Sequence, residues 1–261
     1  GDYFCVFTLD MGIRGAGIAT AMGAGISTLV MLTHFFKKSN TLRLQFSKEI
    51  FRLFGRITVN GFSSFIIDVA MGVLTMLFNR QIMKYLGTDA LAVYGVIVSV
   101  STLVQCCSYG IGQASQPIIS QNYGAGNVGR IKKMLRYNII TAAIFGAVWA
   151  AITFAVPNGL IRLFMTPTAS VLAIAPAIIR IYGSSFLLLS FNVYSTYYFQ
   201  ATMRAKTSMF VSVARGILIS GALILIIPVT LGADMIWWAM PVTELVVAVF
   251  AGAMMAKKIQ L

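Results

Sequence analysis

Residues 120–133, SQNYGAGNVGRIKK, hold Gly124-x-Gly126-x-x-Gly129, with Arg130, Lys132 and Lys133 directly after. Glycines at this spacing can bring a backbone close to a pyrophosphate, and adjacent cations can neutralise it. That chemistry requires a strand before the glycines, a helix after them, and an acid about 20 residues on for a ribose hydroxyl. Here residues 89–113 form one long apolar segment, and positions 145–155 read FGAVWAAITFA, without an acid. The nucleotide reading therefore lacks its context. A structural reading fits the same residues: Gly124 ends one helix in the left-handed conformation and Asn127 caps the next.

A second kind of chemistry lies in single charges set within apolar runs. Asp68 stands in FIIDVAMG and Glu244 in PVTELVV, while Arg180 and Arg215 interrupt two further apolar stretches. In water such residues are unremarkable. Inside a bilayer an ionisable group costs on the order of 3 kcal/mol or more and marks an ion or substrate contact by default. The alternative is a permanent ion pair, in which an arginine lowers the acid's affinity for protons and other cations.

The elements that must position these groups are membrane helices. The chain of 261 residues is 58% hydrophobic and 10% charged, against roughly 25% charged residues in soluble domains. Its apolar residues run in blocks long enough to span a bilayer as helices, at about 20 residues each. No stretch alternates as a membrane β-strand must. Seven spans are predicted, over 13–36, 59–83, 89–113, 136–156, 172–200, 208–231 and 235–256. Asp68 then sits nine residues into the second span, about 14 Å deep in a core roughly 30 Å thick. Glu244 sits nine residues into the last span, and Arg180 and Arg215 reach comparable depths.

Charge orients the spans. The net charge is +13, which in a soluble protein would suggest nucleic acid; here the cations lie between apolar blocks, and membrane lipid is the expected partner. With the N-terminus outside and the C-terminus in the cytoplasm, fourteen Lys and Arg residues fall in inner loops, from Lys37 to Lys258, and only Arg14, Arg80, Lys84 and Arg162 fall outside. Residues 42–57, LRLQFSKEIFRLFGRI, place Phe46, Ile50, Leu53, Phe54 and Ile57 on one helical face, consistent with a helix lying in the inner headgroup layer or with an ordinary basic loop. Cys5, Cys106 and Cys107 give no disulfide framework and read as small buried apolar residues. Tyr194, Tyr197 and Tyr198 can face a cavity through cation–π contacts or anchor at the interface. Gln105, Gln113 and Gln116 recur on the third span and either join helices by hydrogen bonds or line a pathway.

Taken at full length, the stretch Gly110-Ile-Gly-Gln113-Ala-Ser-Gln116-Pro117 through Asn122-Tyr123-Gly124-Ala125-Gly126 resembles the signature of the multidrug and toxic compound extrusion (MATE) transporters. Gly87-Thr-Asp89-Ala90-Leu-Ala92, Gln200-Ala201 with Arg204 and Lys206, and Pro241-Val-Thr-Glu244 resemble further family segments in the right order. The resemblance implies an all-α polytopic membrane protein: residues 1–36 as the last helix of an N-terminal lobe, 37–57 as a cytoplasmic linker, and 58–261 as the six-helix C-terminal lobe of a twelve-helix transporter. The odd span count and the absence of a starting Met fit such a piece.

The resemblance further implies a protein that is no enzyme, needs no cofactor and binds no nucleic acid. Its expected partners are small-molecule organic cations and the N-terminal lobe. The implied activity is efflux of organic cations or amphipathic drugs from the cell membrane by antiport with H+ or Na+. Asp68 lies near the family's cation-binding carboxylate, a possible Na+ contact. Asn192 stands near a second family acid, and an amide there can coordinate a cation but cannot carry its charge. Glu244, Tyr194 and Gln116 complete the expected contacts, and Pro117, Asn122, Gly124 and Gly126 the structural motif. A lipid-carrier flippase is the rival reading, since Arg180 and Arg215 can form a basic cavity for phosphates. A seven-helix receptor or retinal protein is weaker, because the last span has no mid-membrane Lys for a Schiff base and the whole-chain motif match would go unexplained.

Overall fold

The computed structural model describes residues 4–36 and 50–256. The chain divides into two compact units, Gly1–Gly55 and Arg56–Leu261. The first holds a π-helical turn, Phe4–Thr8, helix α1 over Gly12–Leu32 and a 3-10 turn, Thr33–Phe36. The first half of the headgroup-layer helix expected over 42–57 falls outside the described residues, and its second half, from Ile50, is the start of α2.

From there the described chain is helical throughout: α2 over Ile50–Tyr85, α3 over Gly87–Gly124, α4 over Val128–Ala155, α5 over Pro157–Phe164, α6 over Ala169–Gly183, α7 over Phe186–Ala201, α8 over Ala205–Val213, α9 over Ile219–Thr230 and α10 over Ala239–Ala256. Two pairs of these are single spans with local interruptions. Ser184 and Ser185 turn between α6 and α7. A π-helical turn, Ala214–Leu218, joins α8 to α9. Among the described residues five stretches are long and apolar enough to cross a membrane: Gly87–Gly124, Val128–Ala155, Ala169–Ala201, Ala205–Thr230 and Ala233–Ala256. The expected seven spans exceed that number; the apolar part of α1, Gly17–Leu32, is shorter. Outward-facing stripes such as Ile140, Ile144 and Val148 on α4 are apolar, as a lipid-facing surface must be. Cys5 is buried as expected, but Cys106 and Cys107 are exposed, correcting the expectation of burial for those two.

The turn at 124–127 differs from expectation at two residues. Gly124 is the last residue of α3, and Gly126 supplies the left-handed conformation, with φ +71°. Asn127 does precede α4, but its side chain makes no capping hydrogen bond; the Asn127 carbonyl accepts from Arg130 and Ile131 N–H instead. The helix continues through Gly124, because Ala125 N–H still bonds Gln121 O at 3.0 Å.

Helix α7 is the hub of the second unit and packs on α3, α4, α8 and α10. Its seam with α4 depends on Gly146: a Cβ there would stand 2.7 Å from the Phe186 carbonyl oxygen and 2.8 Å from that of Leu187. Its seam with α3 depends on Gly112, where a Cβ would fall against the Tyr197 ring. Small residues allowing close backbone approach are what hold helices together in lipid. At the start of α6, Thr168 Oγ1 accepts from Val171 N at 3.3 Å, an N-cap. Thr168→Ala is expected to cost about 1 kcal/mol, read as a lowered unfolding midpoint in detergent; an unchanged midpoint would contradict the cap.

Candidate functional site

Two apolar clusters fill the second unit. One gathers Phe78, Val93, Ile97, Tyr182, Phe186, Leu189 and Ile224; the other gathers Ile119, Ile131, Tyr194, Tyr198, Val211 and Val247. Along α3, α7, the α8–α9 span and α10, polar residues fall at the boundary between them. Ser108 and Ser190 face each other at 2.8 Å and are buried, joining α3 to α7. Asn192, Arg215 and Glu244 form the rest of the layer.

Glu244 is wholly buried. Its Oε1 accepts from Arg215 Nε at 2.7 Å, and its Oε2 accepts from Asn192 Nδ2 at 2.6 Å. The same amide also donates to the Glu244 backbone carbonyl at 2.8 Å. Both carboxylate oxygens are therefore engaged, as a buried charge requires if its desolvation is to be offset. Asn192 is fully buried, and its Oδ1 has no hydrogen-bond partner among the described residues. Arg215 stands in the π-helical turn, a distortion that shifts the backbone register by one residue and is frequent at functional sites. Ser220, five residues on, donates its hydroxyl to the Arg215 carbonyl and holds the turn.

Two cavities meet at this arginine. The larger, about 290 Å³, lies between α2, α3, α7 and the π-helical turn, with Tyr109, Gln113, Tyr197 and Gln200 in its wall. The smaller, about 80 Å³, lies toward the Tyr85 end of α2, lined by Thr75, Ser101, Gln105 and Tyr182. Met71, Arg215 and Gly216 belong to both.

The expected contacts divide among these places. Asn192 and Glu244 come together. Gln116 bridges α3 to α7 through Gln200 Oε1 at 3.3 Å, and Gln113 does so through the Tyr197 hydroxyl at 3.3 Å. Gln105 reaches Met71 Sδ at 3.7 Å. The glutamines thus join helices, and Gln113 and Gln105 also line cavities. Tyr194 lies in the second apolar cluster against Tyr198, ring centroids 6.4 Å apart, and lines neither cavity. Tyr197 lines the larger one. Pro117 lies inside α3, and Asn122 Nδ2 donates within the helix to Ile118 O at 2.8 Å. Asp68 falls on the helical backbone of α2, and its side chain lies outside the described residues. No group of three or more His, Cys, Asp or Glu comes together among the described residues.

The arginines are where the sequence reading misses most. Arg180 Nε donates to the Phe154 carbonyl at 3.1 Å, one of the last four of α4, which have no partner within their own helix. Arg204 Nη1 does the same for Met254, at 3.0 Å, near the end of α10. Arg180 therefore does not join Arg215 in a basic cavity. The pairing of Arg215 with Glu244 was open to depth arithmetic. Arg215 lies about seven residues in from one membrane face and Glu244 nine from the other, a height difference of about 6 Å at 1.5 Å per residue that a long arginine side chain spans.

Spans of this length, close small-residue seams and a buried polar layer define a multi-pass helical membrane protein. Residues 62–226 match the family model described as MatE, and the chain belongs to that family. It is 24% identical over 252 residues to the multidrug export protein MepA of Staphylococcus saprophyticus, a match covering 96% of this chain and 55% of the relative. MepA of Staphylococcus aureus strain NCTC 8325 is 23% identical over the same length. Among solved structures, the fold resembles the outward-facing conformation of a multidrug resistance MATE family transporter of the MOP superfamily, with TM-score 0.83, 20% identity, and coverage of 97% of this chain and 57% of that one. It also resembles a MOP superfamily transporter from Pyrococcus furiosus, described by a binding pocket of reverse polarity, with TM-score 0.81, 20% identity, and coverage of 97% of this chain and 57% of that one. The chain spans about half the length of the curated relatives it matches.

Proposed function

We propose that this chain is the C-terminal part of a twelve-helix secondary-active exporter in the cell membrane. In this reading α1 is the last helix of the N-terminal lobe, residues 37–57 form the cytoplasmic linker, and residues 58–261 form the C-terminal lobe. The seven spans are the five above together with α1 and α2, with the N-terminus of the chain outside and the C-terminus in the cytoplasm. The exported solutes are amphipathic drugs and organic cations, and the driving ion is H+ or Na+. Family membership and the match to half of a multidrug export protein support this reading. The observation that carries it is the meeting of two cavities at one buried charge pair inside membrane-length helices. A partition of that kind, opened on one side at a time, is what alternating access requires. An ion can drive the change only through different affinities for the two states.

Asp68 is the proposed coupling carboxylate. Glu244 already has both carboxylate oxygens engaged by Arg215 and Asn192, which leaves Asp68 as the acid for the coupling role. Asn192 Oδ1, buried without a partner among the described residues, is a neutral oxygen that could take a cation. The flippase reading has less support, because Arg180 is bonded to a helix end and leaves Arg215 as one cation rather than two.

The test is Asp68→Asn in the full-length transporter in proteoliposomes. Ion-driven dye efflux is expected to fall at least about tenfold with folding retained; efflux at the normal rate would remove Asp68 from the coupling role.

A further inference from the structure

We propose that the larger cavity is a binding site for an anionic oxygen group, a carboxylate above all, carried on an aromatic body and held by Arg215. For this cavity it narrows the amphipathic solutes of the export reading to aromatic acids, apart from organic cations bound elsewhere, and it rests on that reading for its biological use.

Among the described residues, the lining of the cavity includes one charged side chain, Arg215, and no carboxylate. Glu244 cannot present its charge there, since it is wholly buried and both its oxygens are taken. What Glu244 does is keep the guanidinium in place through Nε. A guanidinium has five N–H donors in a rigid fork. The four on the terminal nitrogens make no hydrogen bond among the described residues, while Arg215 borders both cavities. A planar fork with a free edge matches a carboxylate or phosphate with two parallel hydrogen bonds. An ammonium in the same place would meet a like charge in a poorly screened site.

The rest of the wall suits the body of such a ligand. Tyr109 and Tyr197 stand edge-to-face, with centroids 6.3 Å apart and planes at 75°. Met71 and Val193 add apolar surface, and Gln113 and Gln200 add amides. A volume of about 290 Å³ holds one or two aromatic rings with an acid group. The same anionic chemistry can come from a soluble aromatic acid or from a lipid headgroup.

The experiment measures binding of 1-naphthoate, 1-naphthamide and 1-naphthylmethylammonium to the full-length transporter in phosphatidylcholine nanodiscs. The acid is expected to bind at least about tenfold tighter than the other two. Gln113→Leu should weaken the acid several-fold, and the charge-free double variant Arg215→Met/Glu244→Met should erase the preference. Equal or tighter binding of the amide or the ammonium by the unaltered protein overturns the site, whether or not the double variant folds. A preference that survives in a folded double variant overturns it equally. Adding phosphatidylglycerol separates the sources: displacement of naphthoate assigns the site to a lipid headgroup, and none assigns it to a soluble acid, both within the proposal. Dye efflux measured on the same protein keeps the two readings apart. Efflux without acid preference removes this site alone; acid preference without efflux keeps the site and removes the export reading.

Discussion

Glu244→Met is expected to destabilise the protein by about 3–5 kcal/mol, because it leaves the Arg215 guanidinium charged, largely buried and without its counter-charge. It also takes one of the two acceptors of the Asn192 amide. Arg215→Met should cost a similar amount, since Glu244 is then wholly buried with only the amide to offset its charge. The double variant should recover most of the loss, because two apolar chains of similar length fill the same space and neither desolvation cost remains. Denaturant or thermal unfolding of the four full-length proteins in one detergent gives the double-mutant cycle directly. Two single losses that simply add would show that the pair is not coupled and would overturn this account. The pairing matters beyond stability. An arginine held at Nε is fixed between two cavities, and the methionine at Glu244 would release it into either.

Gly146→Val is the second large effect. The Cβ of any residue at 146 meets the Phe186 and Leu187 carbonyl oxygens at 2.7 and 2.8 Å, and these are backbone atoms at the start of α7. A side chain can rotate away from such a contact; a helix must move as a body. Overpacking costs about 1–3 kcal/mol where side chains relieve it, and more where they cannot. The expected result is a loss of at least about 3 kcal/mol for valine and a smaller loss for alanine, in the same unfolding assay. Gly112→Ala is the side-chain comparison, since its obstacle is the Tyr197 ring rather than backbone. A valine at 146 that unfolds like the unaltered protein would mean that α4 and α7 are not locked at this height. Because α7 carries Asn192 and the wall of the larger cavity, such a shift would also reach the site.

How much of this is legible without the fold depends on the kind of interaction. Membrane helices are legible because lipid offers no partner for backbone groups, so each apolar run of sufficient length must satisfy its own. The charge between runs is legible for the same reason, and so is the helix turn near Asn127. The family motif around Gln116 and Pro117 stands in the chain as written. Its physical work does not: Gly112 admits a Tyr197 ring 85 residues away, and Gln116 bonds Gln200, contacts that linear spacing does not show.

What the sequence alone determined is therefore the polytopic helical class, the positions of five of the seven expected spans and the short list of charges that must be explained inside them. Burial cost is a property of one residue and its surroundings in the chain, and it singles out Asp68, Glu244, Arg180 and Arg215. Which charge answers which was decided by tertiary structure. Depth along a helix is readable to about one turn, but the direction a side chain faces around the axis is set by packing. Arg180 turned to an open helix end, Arg215 turned to Glu244, and Asn192 closed on the same carboxylate. Only that arrangement leaves one edge of a guanidinium facing a cavity, because a charge in the membrane goes first to whatever opposite charge the packed helices bring within reach.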